Sequence, residues 1–110
     1  MRPLVATIDL SALRHNYTVA HRCAPGRQAF AVVKANAYGH GLREVVAALA
    51  DADGFAVCCL EEAQVVREVN PKARLLLLEG CFQAGEYQQA AALNLDVAVH
   101  SVAQAEALLS

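Results

Sequence analysis

Short apolar segments recur through the chain, and a helical pattern fills every gap between them. A strand-helix repeat of about 20–25 residues is typical of βα units in a parallel sheet. The segments are apolar on both faces, as strands inside a parallel sheet are. The pattern therefore predicts an α/β fold built from parallel βα units. The predicted strands are QAFAVV (28–33), FAVCCL (55–60), ARLLLL (73–78) and LDVAVH (95–100).

The N-terminal segment LVATIDL (4–10) predicts one more short strand, followed by a helix. Asp9 or Ser11 can cap this helix at its start, and Pro25-Gly26 ends it. Near the other end of the chain, the capping-box spacing in SVAQ (101–104) predicts a last helix. The first helix has its apolar residues at steps of three and four: Leu10, Leu13, Tyr17 and Ala20.

Pattern alone leaves two architectures open. The strands fit a small doubly wound parallel sheet that is complete within 110 residues. They equally fit the first half of a barrel, because the last helix reaches Ser110 without a C-terminal stop signal.

Composition excludes several classes of function. The chain is 56% apolar and 18% charged, so it has material for a packed core. Its net charge of −2 gives no electrostatic basis for binding nucleic acid. Neither a signal peptide nor an apolar run of about 20 residues is found, which predicts a cytoplasmic protein without a membrane contact. The four cysteines and four histidines lack metal-ligand spacing, so we expect no metal and reduced thiols.

The segment AVVKANAYGHG (31–41) places Lys34 at the end of a predicted strand. Ligand sites in parallel α/β folds lie at this end of the strands. A lysine amine can form a Schiff base with an aldehyde, and the hydroxyl of Tyr38 can donate to a phosphate. The residues thus suggest a carbonyl-bearing, phosphorylated ligand. Taken by itself, however, a strand-end lysine is more often a surface residue whose stem lies along apolar neighbours.

The same stretch, VVKANAYGHG, is similar to the pyridoxal-phosphate attachment motif of alanine racemases. ATIDLSALRHNY (6–17), DGFAVCCLEEAQVVRE (53–68) and LLLLEG (75–80) also resemble that family. The resemblance implies a fold-type-III pyridoxal-phosphate enzyme, with an N-terminal (β/α)8 barrel, a C-terminal β domain and an active site at a homodimer interface. Residues 1–110 would be the N-terminal portion of the barrel domain, without the C-terminal β domain.

By this resemblance, the four predicted strands are barrel strands one to four. Residues 4–10 would pair instead with the C-terminal β domain.

The resemblance also implies an activity, the racemisation of L-alanine and D-alanine. Lys34 would carry pyridoxal 5'-phosphate as an internal aldimine and move a proton on one face of the substrate, and Tyr38 would bind the phosphate. The family's second base is a tyrosine of the partner subunit's C-terminal domain, so we expect this chain to be inactive alone. The alternative is a non-catalytic carrier that binds the same cofactor. Roles in D-alanine supply for the cell wall and in alanine degradation both fit.

Other residues near the motif receive structural roles. His40 is interpreted as a hydrogen-bonding loop residue, and Glu61 and Glu62 as the acidic first turn of a helix. Leu78, at a strand end, is either a cofactor-pocket residue or a core residue.

Overall fold

The computed structural model describes residues 2–110 and alternates strands with helices. The order is α1 (Leu10–Arg22), β1 (Phe30–Val32), α2 (Lys34–Tyr38), α3 (Leu42–Ala48), β2 (Gly54–Val57), α4 (Leu60–Val69), β3 (Leu75–Leu77), α5 (Glu86–Ala92), β4 (Asp96–Val97) and α6 (Val102–Leu109).

The four strands form one parallel sheet in the order β1-β2-β3-β4. Crossovers between parallel strands are right-handed, so a sheet that runs in chain order receives its helices on one face. A doubly wound sheet reverses its strand order at one point and carries helices on both faces. The observed order excludes the doubly wound alternative and confirms parallel βα units in the arrangement of half a (β/α)8 barrel.

The helix-facing side of the sheet holds the core. Phe55, Val57, Leu75 and Leu77 are at most 1% exposed. They form one cluster with buried residues of the helices. The spacing of the apolar residues after the motif predicts one face of a helix, and the structure buries all of them: Leu42, Val45, Val46 and Leu49.

The opposite side of the sheet is the one that faces inward in a barrel. Val32, Ala56, Leu76 and Asp96 occupy neighbouring register positions across the four strands. Val32 is 42% exposed although it lies on a strand. Because β1 is an edge strand, Val32 has a neighbouring strand on one side only.

The strand predicted over residues 4–10 is wrong for this structure. The segment before α1 has no strand, and Leu10 is already helical. Leu4 is 98% exposed and Val5 is 79% exposed. A strand needs a neighbouring backbone for its hydrogen bonds, and the described residues offer none here.

The predicted helix caps are present, and the structure decides between the two candidates for the cap of α1. The Asp9 side chain, not Ser11, accepts from the Ala12 N–H at 3.1 Å and caps α1. The Ser101 hydroxyl accepts from the Gln104 N–H at 3.1 Å, which confirms the predicted start of α6.

The strands themselves are shorter than predicted. The predicted segment 55–60 is strand only to Val57, and Leu60 already opens α4. β4 retains only Asp96–Val97 at the edge of the sheet.

Two side-chain networks hold the helices at the N-terminal ends of the strands. The Tyr17 hydroxyl donates to the Ala29 carbonyl at 2.7 Å and accepts from the Asp53 N–H at 3.0 Å. The Asp53 carboxylate accepts from the Ala29 N–H at 2.7 Å and contacts His21 Nε2 at 3.0 Å. Mainly because of the Ala29 hydrogen bond, and despite burial, the pKa of Asp53 lies below its usual value. The network fastens α1 to the sheet.

Arg67 forms the second network, near the C-terminus of α4. Its guanidinium donates to the carbonyls of Ala73 at 2.6 Å, Leu93 at 3.0 Å and Pro71 at 3.1 Å. One side chain thereby connects the loop before β3 with the end of α5.

No helix among the described residues is both long and apolar enough to cross a membrane.

Candidate functional site

The C-terminal ends of the strands meet along one edge of the sheet, because all four are parallel. Lys34 follows β1 at this edge, and Cys58 follows β2. Leu78 follows β3, and His100 lies beyond β4. The edge therefore gathers side chains from four separate stretches of the chain, as at the ligand-binding face of a barrel.

The α2 segment that begins at Lys34 is a left-handed turn. Backbone φ and ψ are 52° and 52° at Ala35, 56° and 42° at Asn36, and 54° and 46° at Ala37. Tyr38 also has a positive φ, of 57°. Residues other than Gly and Asn pay about 1–2 kcal/mol each for this conformation, so Ala35, Ala37 and Tyr38 together carry about 3–6 kcal/mol of strain. Surrounding contacts have to offset that strain.

Hydrogen bonds within and just after the turn supply part of the offset. The Ala37 N–H donates to the Val33 carbonyl at 2.9 Å, and Ala37 is buried. The Asn36 side-chain oxygen accepts from the Leu42 N–H at 2.8 Å and so connects the turn with α3. His40 Nδ1 lies 2.9 Å from the Ala37 carbonyl, which confirms the hydrogen-bonding role predicted for His40.

Glu62 fixes the start of the turn from a different part of the chain. One carboxylate oxygen accepts from the Ala35 N–H at 2.6 Å. The other accepts from the Cys58 N–H at 3.0 Å and from the Cys58 thiol at 3.3 Å. Burial raises the pKa of Glu62, but the hydrogen bonds from Cys58 and Ala35 outweigh it, so the pKa lies below its usual value. The ionised carboxylate thus bridges the loops after β1 and β2.

Sequence reasoning gave Glu62 only a place in a helix start. In a capping box, a Glu at the third residue of the helix accepts a hydrogen bond from the backbone N–H of the N-cap residue. The motif needs Ser or Thr at the N-cap. Here the N-cap is Cys59, so the usual signal is missing. The spacing from Cys59 to Glu62 is the one clue that the sequence contains.

Lys34 and Tyr38 open and close the left-handed turn. Lys34 is half-buried and takes part in none of the ion pairs formed within residues 2–110. Its charge is close enough to Cys58 to oppose the rise in the thiol's pKa that burial and Glu62 cause. Tyr38 is 59% exposed. The turn therefore presents an amine without a carboxylate partner and an accessible phenol, a pair suited to an aldehyde and a phosphate.

The far side of the edge is closed by contacts between the loop after β3 and the start of α6. His100 Nε2 lies 3.2 Å from the Leu78 carbonyl, and the Gln104 amide donates to the Glu79 carbonyl at 3.1 Å. Leu78 is half-buried beside them. Gly80 has a φ of 68°, and a Cβ at this position would lie 2.3 Å from the Ala98 carbonyl oxygen. Only glycine fits this close approach.

Comparison with known proteins agrees with this architecture. A family model described as "Alanine racemase, N-terminal domain" matches residues 8–110. The biosynthetic alanine racemase of Pseudomonas aeruginosa is 68% identical over 111 residues, which take in 100% of this chain and 31% of the relative. The chain thus spans about a third of that relative's length.

Two solved structures show the same fold. The crystal structure of the biosynthetic alanine racemase from Pseudomonas aeruginosa matches with a TM-score of 0.96, over 99% of this chain and 31% of that one. The alanine racemase from Bartonella henselae, solved with covalently bound pyridoxal phosphate, is 30% identical. It matches with a TM-score of 0.84 over 90% of this chain and 28% of that one. Because the family model matches nearly the whole length of this chain, the chain belongs to the alanine racemase N-terminal domain family.

Proposed function

We propose that this chain is the cofactor-holding part of an enzyme that interconverts L-alanine and D-alanine, and that Lys34 attaches pyridoxal 5'-phosphate. The observation that carries the proposal is the position of Lys34. Lys34 follows β1 at the C-terminal edge of the sheet, on a strained but well-bonded turn, without an ion-pair partner among the described residues.

The side chains present fit the cofactor. The amine of Lys34 would bind its aldehyde, and the hydroxyl of Tyr38 would donate to its phosphate. When bound, the pyridine ring withdraws electrons from the substrate and makes the proton on Cα easier to remove. The Lys34 amine would then take or return that proton on one face of Cα.

Racemisation also needs a proton donor on the opposite face of Cα. Among the described residues of the edge, Lys34 acts on one face and Tyr38 would bind the phosphate. We therefore infer that the donor for the opposite face comes from another part of the enzyme, in a homodimer. Residues 1–110 alone are then expected to hold cofactor weakly and to racemise alanine little. Missing one general acid or base commonly costs about 10²–10⁴ in rate.

The four free cysteines suit the reducing conditions of the cytoplasm.

The test of attachment is borohydride reduction in the presence of pyridoxal 5'-phosphate, followed by peptide mapping. The chain has only two lysines, Lys34 and Lys72, and Lys72 precedes β3 at the opposite edge of the sheet. Lys34→Ala should abolish the trapped cofactor, whereas Lys72→Ala should leave it intact. Label that persists in Lys34→Ala would reject the proposal.

The test of activity uses a joined chain, defined as residues 1–110 followed by the remaining length of the Pseudomonas aeruginosa biosynthetic alanine racemase. We expect the joined chain to convert L-alanine to D-alanine, and residues 1–110 alone to do so at least a hundredfold more slowly. A joined chain that traps cofactor on Lys34 but does not racemise would favour the carrier alternative. Full turnover by residues 1–110 would show that the second proton donor lies within this chain.

A further inference from the structure

The carboxylate of Glu62 is bound to the peptide group that leaves Lys34. The Ala35 N–H donates to one oxygen of Glu62 at 2.6 Å. This N–H belongs to the peptide group that joins Lys34 to Ala35. A hydrogen bond to this N–H fixes the orientation of that peptide plane. It therefore influences the direction in which the Lys34 side chain leaves the backbone.

We propose that Glu62 is a positioning residue for Lys34. By holding the first left-handed residue of the turn, it keeps the Lys34 amine aimed at the place where the cofactor's aldehyde binds. The inference rests on the proposed function and adds to it a residue that does not touch the cofactor.

Capping of α4 does not account for the whole arrangement. A helix cap explains the contact with Cys58, which lies next to the N-cap residue. It does not explain the contact with Ala35, which is 27 residues away in sequence. A carboxylate has two accepting oxygens and no donor, so it suits two N–H groups that come from different loops.

Glutamine is the matched probe of this geometry. Glu62→Gln keeps the size of the side chain but replaces one oxygen with an NH2 group, which cannot accept a hydrogen bond. Only one of the two N–H groups can then be satisfied. Glu61→Gln is the control, because Glu61 is the neighbouring acid in the same helical turn and is exposed.

The first measurement is the amide hydrogen exchange of Ala35, made without cofactor. Glu62→Ala, which removes both oxygens, should speed exchange at Ala35 at least tenfold, and Glu61→Ala should change it less than twofold. Equal exchange rates at Ala35 in Glu62→Ala and the unmodified chain would overturn the inference. If Glu62→Ala does not fold, Glu62→Asp carries the same test, because it keeps both oxygens but draws them back by one methylene.

The second measurement separates positioning from simple capping. In the joined chain loaded with pyridoxal 5'-phosphate, Glu62→Gln should release cofactor about tenfold faster and shift its visible absorption. It should also lower kcat more than it changes KM, while Glu61→Gln leaves all of these unchanged. Faster Ala35 exchange with an unchanged spectrum and unchanged release would reduce Glu62 to a cap and overturn the inference.

Failure of the proposed function would look different. Cofactor trapped equally well by Lys34→Ala would reject attachment at Lys34. The exchange measurement at Ala35 needs no cofactor, so it would still show whether Glu62 holds the turn.

Discussion

Replacing Ala35 with glycine should stabilise the chain, although the same change in an ordinary helix destabilises it. Ala35 has φ and ψ of 52° and 52°, and its side chain is exposed. Alanine pays about 1–2 kcal/mol for this left-handed conformation, whereas glycine adopts it freely. Glycine also gives the unfolded chain more freedom, which costs about 0.5–1 kcal/mol. The difference predicts a gain of about 0.5–1 kcal/mol for Ala35→Gly.

Ala20→Gly is the matched control. Ala20 is also exposed, but it lies in the right-handed helix α1, where alanine carries no such strain. Glycine there should lower the free energy of unfolding by about 0.5–1 kcal/mol. The two variants thus make one chemical change and are expected to differ in sign.

Urea unfolding followed by far-ultraviolet circular dichroism measures both variants. Each is compared with the unmodified chain at two protein concentrations, because the uncovered edges of β1 and β4 favour association. For a chain of this size, an m-value of about 1–2 kcal/mol/M turns 1 kcal/mol into a midpoint shift of about 0.5–1 M. A midpoint for Ala35→Gly that falls together with that of Ala20→Gly would refute the reasoning, since it would mean that the turn is not strained.

Three further results are expected from the contacts around the sheet. Arg67→Ala should lower the free energy of unfolding by about 2 kcal/mol, because charged donors to several backbone carbonyls are lost; Arg43→Ala, which breaks only an exposed ion pair, should cost less than about 1 kcal/mol in the same urea titration. The pKa of Asp53 is lowered in the folded chain, so its contribution is present above the unfolded pKa and is lost as pH falls through the folded value; Asp53→Asn should flatten the acid limb of a plot of unfolding free energy against pH. Gly80→Ala should unfold at a clearly lower temperature in a calorimetric scan, because its Cβ would collide with a backbone carbonyl at a positive φ.

Local sequence rules predicted the elements whose stability is local. The apolar spacing of α3, the Asp9 cap of α1 and the Ser101 cap of α6 depend on residues within one or two helical turns of each other. The number of strands and their parallel direction followed from the βα repeat, but their order did not, because the repeat fits a doubly wound sheet as well as half a barrel. For these parts, side-chain periodicity and capping chemistry are the same forces that act in the folded structure.

The segment before α1 shows where such rules fail. Residues 4–9 have the composition of a strand but belong to no strand of the structure, because strand pairing depends on a backbone from elsewhere. Composition indicates what a segment can pair with, but it does not supply the partner. The shortness of β4 at the edge of the sheet has the same origin, since only one side of it is paired.

The left-handed turn could not be predicted, because its residues locally oppose it. Ala35 and Ala37 prefer right-handed or extended backbone, and Asn36 alone tolerates the left-handed region well. What selects the turn is tertiary: Glu62 binds its first free N–H, and burial of Ala37 holds its middle. Strain of this kind persists only where surrounding contacts determine the conformation, and such places cluster at functional sites. Local propensity therefore describes the segment that carries Lys34 worse than any other part of the chain discussed above. This mismatch is expected if the turn serves to place the Lys34 amine and not to stabilise the fold.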